Sequence, residues 1–194
     1  MPTKKSDASI EAGKKNVIQK GDTEEAKRRG GPGDDIRGSG AKDMNKKRLY
    51  DELTENLAAA SGGVGYTVSV LANASALLME ALPDVNWCGF YLYRDGKLVL
   101  GPFQGKIACT EIDMGKGVCG TAAEREEAVL VEDVRLFDGH IACDSASRSE
   151  IVVPIHRMGK LFGVLDIDSP LCGRFSEEDR NGLLCFTEAL EKHL

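Results

Sequence analysis

Residues 150–168 read EIVVPIHRMGKLFGVLDID. Two β-rich runs, 150–157 and 161–168, meet at Met158-Gly159-Lys160, so the segment is read as adjacent strands of an antiparallel meander. Residues two apart on a strand face the same way. Asp166 and Asp168 are therefore expected on the face of Val164 and Phe162, with Leu161, Leu165 and Ile167 on the other. Neighbouring carboxylates repel, so one should keep its proton to unusually high pH. Either the strand runs out into solvent at this end or its acids meet a ligand. Glu150, at the start of the neighbouring strand, adds a third acid. Three converging acids suit an ammonium group and, where protonated, can deliver a proton to a departing oxygen.

Upstream, residues 87–93 and 97–101 form a hairpin around Arg94-Asp95-Gly96, where glycine supplies a positive φ. Trp87, Gly89, Tyr91 and Tyr93 point one way, and Cys88, Phe90 and Leu92 the other. The second set belongs to a core. Trp87 and Tyr91 are either ordinary packing or an aromatic wall for a small ligand carrying methyl or sulfur groups. Residues 128–133 form another β-rich run. Helices are expected over 47–60, 66–82 and 117–126, and from Ser176 to the C-terminus with Asp179 in its first turn. The second places Val70, Leu71, Ala74, Leu77, Leu78 and Leu82 on one stripe before Pro83. Helices at both ends of an antiparallel meander give an α+β domain, its ligand held between sheet and loops.

Residues 1–46 differ in kind. They are crowded with charged, Gly and Ser residues, hold no aromatic residue, and cannot bury enough apolar surface to offset chain entropy. The division expected is a disordered charged tail over 1–46 and a folded domain over 47–194. Residues 1–49 carry 13 Lys and Arg against 8 Asp and Glu, which leaves 12 against 23 for the rest. An acidic domain disfavours nucleic acid as a ligand. No run reaches the roughly 20 apolar residues of a membrane span, and no segment resembles a secretory signal. A cytoplasmic protein is expected, with its six cysteines reduced, catalytic or metal-bound rather than a disulfide framework.

Three of those cysteines, Cys109, Cys119 and Cys143, sit in Gly- and Ser-rich stretches, where a thiol can meet substrate and backbone N–H groups can lower its pKa. Thiol–disulfide chemistry is the first reading. Cys88, Cys172 and Cys185 are read as structural. His140, three residues before Cys143, opens two further readings: a Cys–His nucleophile, or a zinc site with Cys109, Cys119 and Cys143. No C-x-x-C pair supports zinc, and no third group orients the histidine. His156 is read as a strand-edge residue and His193 as a terminal surface residue.

Four stretches, LVLGPFQGKIACTEI (98–112), GKGVCGTAA (115–123), GHIACDSASRSEIVVPI (139–155) and LFGVLDIDSP (161–170), carry a resemblance to the free methionine-(R)-sulfoxide reductases, a family built on the GAF fold. The resemblance covers roughly residues 70–194. It implies a GAF-like catalytic domain and thiol-dependent reduction of free L-methionine-(R)-sulfoxide. In that scheme Cys143 attacks the sulfoxide sulfur, methionine leaves, and the sulfenic acid left on Cys143 condenses with Cys109 to a disulfide that thioredoxin recycles. Cys119 matches the family's third cysteine, either relaying the disulfide or competing as nucleophile. Glu150 and Asp168 match acids that polarise and protonate the sulfoxide oxygen, and Asp166 the acid that holds the ammonium. Trp87 and Tyr91 match the wall around the methyl-sulfinyl group. The resemblance implies no bound cofactor or metal, thioredoxin as external reductant, and the homodimer typical of the fold. Asp138 stands where family members commonly have proline. The alternative is a GAF-type small-ligand or redox-sensing module without turnover.

Overall fold

The computed structural model describes residues 36–139 and 145–194, with side chains from residue 45 onward. Six strands form one antiparallel sheet: β1 (Trp87–Arg94), β2 (Lys97–Gly105), β3 (Glu111–Asp113), β4 (Val129–Val131), β5 (Ser149–Arg157) and β6 (Lys160–Ser169). Their order is β3-β2-β1-β6-β5-β4, which brings β1, β6 and β5 together at the centre. Among the described residues four α-helices accompany them: α1 (Ile36–Ser61), α2 (Thr67–Ala81), α3 (Gly117–Arg125) and α4 (Glu177–Glu191), with a short 3-10 helix at Val134–Leu136.

The sheet separates two apolar clusters. On one face, Tyr50, Leu53 and Leu57 of α1, Val70, Leu71, Ala74 and Leu78 of α2, and Leu183, Phe186 and Leu190 of α4 cover Cys88, Phe90, Ile151, Val153, Leu165 and Ile167. The expected stripe on α2 is the one that is buried. On the other face a smaller cluster joins Val118, Cys119, Ala122 and Ala123 of α3 to Trp87, Tyr91, Val152 and Val164. The alternation read for β1 therefore holds, with Trp87 and Tyr91 on one side and Cys88 and Phe90 on the other.

Both tight hairpins turn on two residues with positive φ, Asp95 and Gly96 in one and Met158 and Gly159 in the other. This is the turn whose twist matches that of the flanking strands.

Four expectations need correction. Phe162 packs with Leu165 and Ile167 in the helix-side cluster, and Leu161 packs against the opposite one. Ile155 pairs with Gly163, but the next residue, His156, pairs with Leu161. Phe162 is thus the extra residue of a β-bulge, and a bulge inverts the alternation beyond it. Second, α1 begins at Ile36 and the compact unit runs Asp35–Leu194, so residues 36–46, assigned to the disordered tail, include helix. Adding a residue to an existing helix costs far less than nucleating one, and the packed turns around Tyr50 supply the nucleus. Third, β3 was not foreseen, because three residues carry no readable period. Fourth, Cys172 and Cys185 are exposed free thiols rather than buried structural cysteines. Cys185 lies on α4 away from the buried positions Leu183 and Phe186, and Arg148 Nη2 donates to Cys172 Sγ at 2.7 Å.

Candidate active site

The register of the three central strands builds the site. Asp168 of β6 lies directly opposite Trp87 of β1 and Glu150 of β5, while Asp166 lies opposite Gly89 and Val152. The two rows put an aromatic residue and three acids on the face that carries the smaller cluster. Asp168 is half-buried, whereas Glu150 and Asp166 are each only 6% exposed. The strand does not run out into solvent at its acidic end.

Helix α3 closes the cluster from above. Cys119, in its first turn, is buried, and its Sγ donates to Glu150 Oε1 at 3.9 Å. Ligand atoms of Cys119, Glu150 and Asp166 all lie within 4.8 Å of one another. Burial, reinforced by the charges of Asp166 and Asp168, pushes the Glu150 carboxyl well above the usual range. Burial likewise raises Asp166 to about 7, although bonds from Cys119 and Glu150 work the other way. A raised carboxyl was expected from repulsion between neighbouring acids; here burial is its first cause at both Glu150 and Asp166. The Cys119 thiol is also pushed up, first by burial and then by the acids beside it. Its position near a helix start does not produce the lowered pKa expected there, because desolvation of a thiolate next to carboxylates outweighs the helix field.

An aromatic stack forms the adjoining wall. The rings of Trp87 and Tyr91 lie 5.9 Å apart, and Trp87 stacks on Phe103 at 5.3 Å with 14° between planes. Gly89 makes room for this stack, since a Cβ there would collide with Phe103 Cβ. Trp87 Nε1 donates to the Lys106 carbonyl at 3.1 Å and the Tyr91 hydroxyl to the Cys109 carbonyl at 3.0 Å. The wall therefore also fixes the 105–110 segment. Cys109 on that segment is disulfide-bonded, whereas Cys88, Cys119, Cys172 and Cys185 are free. His140 and Cys143 lie outside the described residues; Ser147, in the same sequence stretch, accepts a bond from Asn86 Nδ2 at 3.1 Å.

Residues 51–194 match the GAF domain family. The free methionine-R-sulfoxide reductase of Escherichia coli is 54% identical over 151 residues, covering 78% of this chain and 92% of that protein. The chain belongs to the free methionine-R-sulfoxide reductases of the GAF family. The reduced form of the Staphylococcus aureus protein of this family is similar in structure, with 46% identity and a TM-score of 0.73 over 75% of this chain and 94% of that one. So is the Neisseria meningitidis free methionine-R-sulfoxide reductase in complex with its substrate, at 43% identity and a TM-score of 0.73, covering 76% of this chain and 89% of that one.

In this chain Glu150, Asp166, Asp168, Trp87 and Tyr91 share one face of the sheet, Cys119 of α3 packs against that face, and Tyr91 ties Cys109 to its rim. Phe103 was missed. Its signal was present in LVLGPFQG, where a phenylalanine follows Gly-Pro, but only the pairing of Gly89 with Phe103 shows that it backs Trp87. Among the described residues no helix is long and apolar enough to cross a membrane.

Proposed function

We propose that the protein reduces free L-methionine-(R)-sulfoxide to L-methionine with thiols as the electron source. The observation that carries this reading is the buried meeting of Glu150, held toward its protonated form, and Asp166, raised to about 7, with a free thiol and an aromatic wall. Reducing a sulfoxide requires proton delivery to a departing oxygen, binding of a zwitterion's ammonium group, and an apolar surface for the methyl-sulfinyl group. Glu150 with Asp168 serves the first need, Asp166 the second, and Trp87 with Tyr91 the third.

In this scheme the Cys143 thiol attacks the sulfoxide sulfur while the acids protonate the oxygen. The oxygen passes to Cys143 as a sulfenic acid and methionine departs with the electron pair. The Cys109 thiol then attacks the sulfenic sulfur, a disulfide forms and water leaves. Thioredoxin returns both thiols by exchange, becoming oxidised itself. That Cys109 is disulfide-bonded while Cys119 is free supports Cys109 as the resolving residue and leaves Cys119 as a relay. The catalytic unit in this reading is the GAF domain of residues 47–194 together with the helical residues that precede it.

A coupled assay with thioredoxin, thioredoxin reductase and NADPH, given free R- and S-methionine sulfoxide separately, tests the reading. NADPH is expected to be consumed with the R form alone, and Cys143→Ser to abolish that consumption. Full activity in Cys143→Ser removes the nucleophile assignment. No turnover of either epimer by folded, reduced protein moves the reading to a ligand-binding GAF module.

A further inference from the structure

We propose that Cys119, Glu150 and Asp166 form a binding site for one thiophilic divalent cation, Zn2+ above others, and that the bound ion displaces the substrate's ammonium group. The second half rests on the reductase reading above; the first does not. Each of the three residues offers one ligand atom, and all three atoms lie within 4.8 Å of one another. Zinc binds sulfur at about 2.3 Å and carboxylate oxygen at about 2.0–2.2 Å, so a tetrahedral site sets S···O at about 3.5–3.7 Å. Cys119 Sγ and Glu150 Oε1 are already 3.9 Å apart. Small side-chain rotations close the site, and the three residues stand on α3, β5 and β6, whose backbones need not move.

A second observation points to a missing partner. Asp166 Oδ1 is buried and accepts no hydrogen bond among the described residues, in a side chain 6% exposed. A buried carboxylate oxygen without a donor is costly, and a cation supplies what it lacks. Elsewhere in the protein buried or clustered acids meet basic side chains, as Asp179 meets Lys46 and Asp133 meets Arg135. The thiol sets the selectivity. Carboxylates alone suit Mg2+ or Ca2+, whereas a thiolate beside them favours zinc. Three protein ligands leave the fourth position open to water. As the Zn–S bond forms, Cys119 gives its proton to solvent. A Cys119 joined in a disulfide cannot ligate, so the site belongs to forms of the enzyme in which Cys119 is free, as it is here.

The test uses the reduced full-length chain. Co2+ reports ligation by a thiolate-to-cobalt charge-transfer band, and Zn2+ is titrated against a chromogenic chelator. One equivalent is expected, with the cobalt band lost in Cys119→Ser and Cys119→Ala and zinc affinity falling at least tenfold in Asp166→Asn. Cys172→Ser and Cys185→Ser should bind as the wild type does. Thermal unfolding establishes that each variant is folded. The site is overturned by a band that persists in folded Cys119→Ser, by equal losses in the Cys172 and Cys185 variants, or by no binding at all. In the R-sulfoxide assay, zinc should raise KM and leave kcat unchanged. An effect on kcat alone overturns the displacement. Absent turnover in zinc-free protein counts against the reductase reading, while an intact cobalt band still supports the site.

Discussion

Two buried acids on opposite faces of the same sheet meet opposite fates. Asp179, at the start of α4, accepts bonds from Lys46 Nζ at 2.7 Å, the Tyr50 hydroxyl at 2.9 Å and the Ser176 backbone N–H at 2.9 Å, with Arg174 Nη1 at 3.4 Å. Burial pushes its carboxyl up, but these partners more than reverse that, and it ends below its ordinary value. Asp166, across the sheet, has burial and no basic partner among the described residues, and is raised to about 7. The first acid is ionised and ties α1 to α4. The second is kept near neutrality, where it can gain or lose a charge as a ligand arrives. Burial alone does not distinguish a structural acid from a functional one; the company it keeps does.

The largest effect that can sharpen this contrast is on turnover. Glu150→Gln keeps the shape but cannot deliver a proton, and kcat should fall by about 10²–10⁴. Wild-type kcat should decline as pH rises through the raised pKa of Glu150, because the proton donor is lost there. The residual rate of the variant should lack that limb. A pH–rate profile on both proteins checks this, and an unchanged limb in the variant rejects Glu150 as the donor.

Asp179→Ala comes next. It strands the Tyr50 hydroxyl and the charges of Lys46 and Arg174, and should cost about 3–5 kcal/mol in urea unfolding. The carboxyl lies below its ordinary value of 3.8 when folded. Its contribution is therefore present above that value and is lost as pH falls.

Asp166→Asn should run the other way. Because Asp166 titrates near 7 in the folded chain instead of 3.8, the native state holds a proton that the unfolded state has released. Stability then drops as pH climbs from about 4 to about 7. The asparagine variant escapes this loss. It should be more stable than wild type at pH 8 by about 1–3 kcal/mol and equal to it near pH 4, while KM for the sulfoxide rises. Equal unfolding midpoints at pH 8 would remove the contrast with Asp179.

The smallest effect is Tyr50→Phe, which deletes one bond to Asp179 and leaves its charged partners. A loss of about 0.5–1.5 kcal/mol is expected, with turnover unchanged.

Much of this contrast was legible in the residues. Ser176 with Asp179 three positions on announced a helix start, and Asp166 two residues before Asp168 announced acids crowded on one face. Periodicity also located α2, β1 and the two hairpins, because each has a repeating apolar pattern long enough to read. What escaped depends on partners distant in sequence. Lys46 and Tyr50 cannot be matched to Asp179 without the packing of α1 on α4. The bulge at Phe162 leaves no mark in LFGVLDID, since an inserted residue breaks the alternation only relative to a neighbouring strand. Cys119 looked like an activated thiol because its glycine-rich setting was visible, whereas the acids that crowd it come from β5 and β6.

The outer strands of the sheet carry one further consequence. β3 and β4 are three residues each, and on β3 both terminal residues are acids, Glu111 and Asp113, held by Lys97. A foreign strand approaching either margin finds few free amide and carbonyl groups to zip onto, and at β3 it also meets charge. The long hydrophobic strands β1 and β6 are shielded inside the sheet, and β4 covers β5 along Glu150–Val152, so these stretches are protected against edge-to-edge aggregation.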